Sequence, residues 1–256
     1  MKKPYTPQEN GQGFVEYALI MLAIVLSGLI VLNLFGVSIS DLYTSVIDAV
    51  ETSPSGKGEG ADGEQGAQEQ VTLFEDDFSK GLANWNILSS KFWKGKVSTN
   101  KERLKVERLG AAFAKGVSGS DYIISVNGTT LQRRSGNNQG FAVIFRSSSE
   151  TVNFDGYVFE IEKEKNKSTG TMMFRKWENG VQIDKPITSV PVPPGFNWNN
   201  PGDIQVDVKG DTFTAYLNGQ QVLTATDSSY TNGGVGVAAN FGSNLFVDGL
   251  TVQSVP

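Results

Sequence analysis

The chain of 256 residues has no cysteine and no histidine. Without cysteine it can form no disulfide, no thiolate metal site and no thiol nucleophile. Without histidine it lacks the Ser-His-Asp and Cys-His arrangements, imidazole metal ligands and an imidazole switch near neutral pH. Cations are also in short supply. There are 22 Lys and Arg against 27 Asp and Glu, a net charge of −5, which argues against nucleic acid as a partner. Aromatic and β-branched residues are plentiful enough for a packed core. The length suits one domain of ordinary size beside a membrane element.

The longest apolar run lies in residues 11–35, GQGFVEYALIMLAIVLSGLIVLNLF, and carries no charge from Tyr17 to Phe35. At about 1.5 Å of rise per residue, a helix of that length roughly spans a hydrocarbon core of about 30 Å. The pattern predicts one long helix over 12–51. In its second half Ile39, Leu42, Tyr43, Val46, Ile47 and Val50 fall on one face, which copies of the same helix would cover. Glu16, at the edge of the run, calls for a counter-charge. Lys2 and Lys3 precede the run, so the first residues are expected to stay cytoplasmic and the rest to cross the membrane. Residues 52–70 are rich in Gly, Ser, Glu and Gln and read as a flexible linker, with a span on the order of 24 Å.

The string Gly11, Gln12, Gly13, Phe14, Val15, Glu16, Tyr17 resembles the start of Flp-type pilins of tight-adherence pili. That resemblance implies a leader over 1–11, cut by a prepilin peptidase between Gly11 and Gln12. It implies that Glu16 and Tyr17, fifth and sixth in the mature chain, serve assembly. It further implies a homopolymeric filament raised by pilus assembly machinery, held in the cytoplasmic membrane before assembly and then displayed as an extracellular filament at the cell surface. Pairing of the Glu16 carboxylate with a neighbour's new α-ammonium would be favoured in a filament core of low dielectric. Typical Flp pilins are little more than this helix, and here a large segment follows it.

From Val71 onward the pattern changes to short alternating segments. Ile204, Val206 and Val208 alternate with polar residues, as do Phe213, Ala215 and Leu217. Asn218-Gly219 and Asn179-Gly180 are two-residue hairpin signals. FAVIFR (141–146) and YVFEIE (157–162) read as strands, the first apolar enough to be central. Turn residues separate roughly a dozen strands, which predicts a two-sheet antiparallel sandwich over 71–256. FEDDFS (74–79), Trp85, GFAVIFR, YVFEIE, YLNGQQV (216–222), GGVGVAA (233–239) and FVDGLTV (246–252), in that order, resemble a concanavalin-A-like, laminin-G-type jelly roll.

Three chemistries are open to such a domain. Glu160, Glu162 and Glu164 alternate along one strand, similar to the acidic strand of jelly-roll glucanases, which implies a hydrolase reading. Asp76, Asp77 and Asp248, near the first and last strands, offer hard oxygens that suit a structural calcium ion, and no cofactor is otherwise required. Arg146, Tyr157, Arg175 and Trp177, with Trp198 on a loop, are aromatic and planar polar groups that could stack on and hydrogen-bond a glycan. The expected class is therefore α + all-β: helix, linker and antiparallel β-sandwich. The leading function is a non-enzymatic pilin subunit that displays a β-sandwich head for adhesion or glycan contact. The alternatives are a membrane-tethered carbohydrate-binding module that does not polymerise, and a polysaccharide hydrolase.

Overall fold

Alternation with period two sends successive side chains to opposite faces of a strand, and it decides what each face of this molecule buries. The structure, a computed structural model, describes residues 70–90, 92–134, 139–240 and 242–256, all within the unit Gln65–Pro256. Two antiparallel sheets form. The nine-stranded sheet runs β14 (Gln220–Thr226), β13 (Thr212–Leu217), β12 (Gly202–Lys209), β6 (Tyr122–Arg133), β16 (Ser243–Val247), β4 (Leu104–Glu107) and β3 (Val97–Thr99). β17 (Gly249–Ser254) also pairs with β6 and carries β1 (Thr72–Asp76) on its other side.

The eight-stranded sheet runs β10 (Val181–Gln182), β9 (Gly170–Glu178), β8 (Gly156–Lys163), β7 (Gly140–Ser147), β15 (Gly234–Ala239), β5 (Ala111–Ala114) and β2 (Trp85–Ile87), with β11 (Thr188–Pro191) also on β9. Between the sheets lies the main core. Ile204, Val206, Val208 and Phe213 come from one side, and Phe141, Val143, Phe145, Tyr157, Phe159 and Phe174 from the other. Burying each of these large apolar side chains stabilises the fold by roughly 1.5–3 kcal/mol.

The expected α + all-β class is corrected by the structure. The described residues are all-β, and among them no helix is long and apolar enough to cross a membrane. The run over 12–51 that carried the helix expectation, with Gly11, Gln12, Glu16 and Tyr17, lies outside the described residues, as does the linker up to residue 69. The β-sandwich is present. Asn218 and Gly219, with φ of 49° and 78°, join β13 to β14, and Asn179 and Gly180, at 50° and 70°, join β9 to β10. Positive φ at both central residues is what a tight type I′ hairpin requires.

β7 sits inside the eight-stranded sheet, and every one of its residues is buried. A strand that is apolar at successive positions must be covered on both faces. Its inner face meets the other sheet. The second cover, on its outer face, comes from the connecting segments and borders a cleft.

A cleft on the outer face of the eight-stranded sheet

Ala142 and Ile144 of β7, Val158 of β8, Ala111 and Phe113 of β5 and Ala238 of β15 form a second apolar cluster, separate from the main core. Register explains the grouping. Ile144 stands opposite Val158 and Gly236, and Ala142 opposite Glu160 and Ala238, so two adjacent rows of outward-facing residues cross the sheet. The connection between β2 and β3 supplies Leu88 and Trp93 to this cluster, and the connection between β7 and β8 supplies Phe154. Ser90 holds the first connection in shape: its hydroxyl accepts from the Trp93 N–H at 2.9 Å, and its N–H donates to the Trp93 carbonyl at 2.8 Å.

A cleft of about 280 Å³ opens beside this cluster. Aromatic rings form one part of its lining. Trp177 stacks on Trp93 and on Phe154, at 5.4 Å between centroids in both pairs, and Phe92 meets the edges of Trp93 and Trp177 at 4.9 and 6.0 Å. The Phe92 ring is 51% exposed, a large apolar surface left to water. Polar groups form another part of the lining: Glu160, Glu162, Gln182 and Asn240.

Glu160 is 7% exposed. Its Oε1 accepts from the Asn240 amide at 2.9 Å. Its Oε2 lies 3.4 Å from Arg175 Nε yet has no hydrogen-bond partner, because Arg175 Nε is directed at the Met173 sulfur at 3.0 Å. Burial pushes the Glu160 carboxyl above the usual range and the charge of Glu162 adds to it, while Asn240 and Arg175 offset part of the rise. Burial also raises Glu162, against the pull of Arg175. The indole N–H groups of Trp93 and Trp177 are buried without an acceptor. Two donors and one acceptor thus stand unsatisfied around one cleft, where each normally costs about 1–3 kcal/mol.

The glycan candidates from the sequence divide between two faces. Arg175 and Trp177 are on the outer face, Trp177 lining the cleft and Arg175 bridging to Glu160. Tyr157 faces the main core. Its ring stacks on Phe145 at 5.5 Å, and its hydroxyl donates to Asp227 at 2.7 Å and accepts from the Tyr230 N–H at 2.9 Å. Arg146 is 2% exposed. Its guanidinium donates to the carbonyls of Ser120, Tyr230 and Gly210 at 2.7, 3.0 and 2.6 Å and lies 5.4 Å from the centre of the Phe213 ring. It clasps chain segments together, with its donors spent inside the protein. The Trp198 indole donates to the Ser168 carbonyl at 2.9 Å, under Lys163.

Glu164 falls beyond the end of β8 and pairs with Lys167, so the three-glutamate row ends at Glu162. The proposed calcium ligands do not form one set. Asp76 accepts from the Phe78 N–H at 2.7 Å and the Trp85 indole at 2.9 Å, Asp77 caps Ser79, and Asp248 pairs with Arg103. Among the described residues no three acids gather as a metal cage. Phe92, Trp93, Gln182 and Asn240 have no place among the sequence candidates. The adjacent Phe92-Trp93 pair in a polar connecting segment was the one available signal.

No protein-family model matches this chain, and no curated protein matches it in sequence. Solved structures match it in three dimensions. A carbohydrate binding module from Bacillus subtilis is 21% identical over 65% of this chain and 94% of that one, with a TM-score of 0.50. A legume lectin-like domain from Entamoeba histolytica is 12% identical over 68% of this chain and 91% of its own, at 0.51. The fold is a concanavalin-like jelly roll. A Bacillus licheniformis beta-glucanase shares the jelly roll at 13% identity, over 73% of this chain and 99% of its own, at 0.50. At such identities the likeness shows the jelly roll alone. Nothing in these comparisons shows the Flp-type pilin start.

Proposed function

We propose that the β-sandwich binds a glycan in the outer-face cleft. The observation that carries this reading is the Glu160 carboxyl, buried in a cleft lined by Phe92, Trp93 and Trp177, with one oxygen that accepts no hydrogen bond and has only Arg175 beside it at 3.4 Å. A sugar ring suits such a lining on both counts. Its C–H face stacks on aromatic rings, and its hydroxyls both donate and accept. The likeness of the fold to a carbohydrate binding module and to a lectin-like domain supports the same reading. Placement at the cell surface belongs to this proposal. The filament reading rests on residues outside the described part of the chain.

A hydrolase is the weaker reading. Glu160 and Glu162 share one face of β8, as a catalytic pair must share one cleft. Acid–base catalysis needs the two groups pushed apart in pKa, one protonated and one ionised. Burial raises both, and the charge of Glu162 raises Glu160 further, so a reducing-end assay decides between the two readings. The deciding experiment is a glycan array probed with the full-length chain, followed by titration calorimetry on the hits and a reducing-end assay on the same glycans. Binding without new reducing ends is the expected result. A chain that retains none of the arrayed glycans would overturn the proposal.

A further inference from the structure

The charge of the cleft is one-sided. Its described lining includes two carboxylates, Glu160 and Glu162, and no lysine or arginine. Arg175 is the cation nearest to Glu160, and it is shared. One of its N–H groups is directed at Met173 and another at the carbonyls of Ile183 and Asp184, so it stands beside Glu160 without a hydrogen bond to Oε2. Burial pushes both carboxyls above the usual range, and Arg175 offsets only part of the rise. Glu162 remains partly open to solvent. The rings of Phe92, Trp93 and Trp177 line the same space, and the face of an aromatic ring attracts a cation.

A neutral sugar entering here would strip further water from two carboxylates and return only hydroxyl dipoles. A simple ammonium ion would balance the charge but would leave the rings of Phe92, Trp93 and Trp177 uncovered. One chemical class meets both demands. An amino sugar brings an ammonium group for the carboxylates and an apolar ring face for stacking. We infer that the cleft lined by Glu160, Glu162, Phe92, Trp93 and Trp177 selects polysaccharide units bearing a free amine over neutral or N-acetylated ones. The inference rests on the glycan reading and narrows it to a substrate class.

The test measures binding of the full-length chain to three oligomers of equal length and linkage: β-1,4-glucosamine, its fully N-acetylated form, and β-1,4-glucose. The glucosamine oligomer is expected to bind about tenfold more tightly than either of the others, a difference of about 1.4 kcal/mol. That preference should shrink in high salt, since part of it is Coulombic. Glu162→Gln should lower affinity for the glucosamine oligomer. Glu164→Gln, which alters an exposed carboxylate paired with Lys167 beyond the end of β8, should not. Intrinsic tryptophan fluorescence of each variant checks that the aromatic cluster is intact. Equal or weaker binding of the glucosamine oligomer, with neutral or acetylated glycans bound on the array, overturns this inference and leaves the glycan reading standing. Failure to bind any glycan overturns both.

Discussion

The Trp93 indole stacks on the Trp177 indole with centroids 5.4 Å apart and planes 28° from parallel, although one comes from a connecting segment and the other from β9. Such a pair contributes about 0.5–1.5 kcal/mol beyond the area it buries. It also fastens the β2–β3 connection onto the outer face of the sheet, so the cleft lining and the fold share residues. Variants that separate binding from stability are therefore the informative ones.

Phe92→Ala is the cleanest of these. The ring is half exposed and touches Trp93 and Trp177 only at their edges. Its loss is expected to weaken glycan binding about tenfold while moving unfolding stability by less than about 1 kcal/mol. Trp93→Ala should do both kinds of damage, with a stability loss of about 3 kcal/mol or more from the cavity. Calorimetric titration and urea unfolding on the same preparations give the two readouts. A Phe92→Ala protein that binds as tightly as the parent would remove the aromatic lining from the site.

Arg146 is expected to act on stability alone. Replacement by Ala leaves the carbonyls of Ser120, Gly210 and Tyr230 without their donor and opens a hole beside Phe213. A loss of about 3 kcal/mol or more should follow. Arg146→Lys should recover only part of this, because an ammonium cannot reproduce the planar fork of donors. Thermal unfolding measures both. Unchanged glycan affinity in the folded Lys variant is the companion expectation.

Tyr122 gives a finer measurement in the same region. Its hydroxyl accepts from the Arg146 N–H at 2.7 Å and is 3.3 Å from the Gly233 carbonyl to which it donates. Burial raises the phenol, which stays protonated throughout the useful pH range. Tyr122→Phe removes one hydroxyl and leaves a buried N–H unpaired, at a cost of about 1–3 kcal/mol. The loss should be the same at every pH tested.

Glu160 and Glu162 set a pH dependence of defined sign. Both are raised in the folded state above an unfolded value of about 4.3. Between the unfolded and folded values the native state holds more protons, so stability falls as pH rises through that window. Their contribution is fully present below the unfolded value and is lost as pH climbs past the folded ones. The Glu160→Gln and Glu162→Gln double variant should lack this fall. Chemical unfolding of parent and variant from pH 4 to pH 7 compares the slopes. Parallel curves would show that these carboxyls are not raised by folding.

Much of the sandwich was legible because strand alternation is a local property. Ile204, Val206 and Val208 are buried and their neighbours are not, as the period of two requires. The Asn-Gly pairs at 179–180 and 218–219 mark their hairpins because few other residues tolerate positive φ twice in succession. The row of Glu160 and Glu162 was visible for the same reason, since residues two apart in a strand share a face. The apolar run over 141–146 likewise pointed to an interior strand, which β7 is.

Local sequence thus specifies the alternation, the turns and the side of each strand that can be buried. Which polar side chain meets which depended on register and on the paths of the connections, and these are settled by contacts between residues far apart in the chain. Register sets Glu160 opposite Ala142 and Met173, and puts Arg175 within 3.4 Å of its carboxylate. The β2–β3 connection brings Phe92 and Trp93 to Trp177. Bulged backbone at Arg146, with φ of 47°, turns a residue that looked free to bind ligand into an internal clasp. Only the folded chain decides these pairings, because each is the outcome of long-range packing that no local pattern encodes.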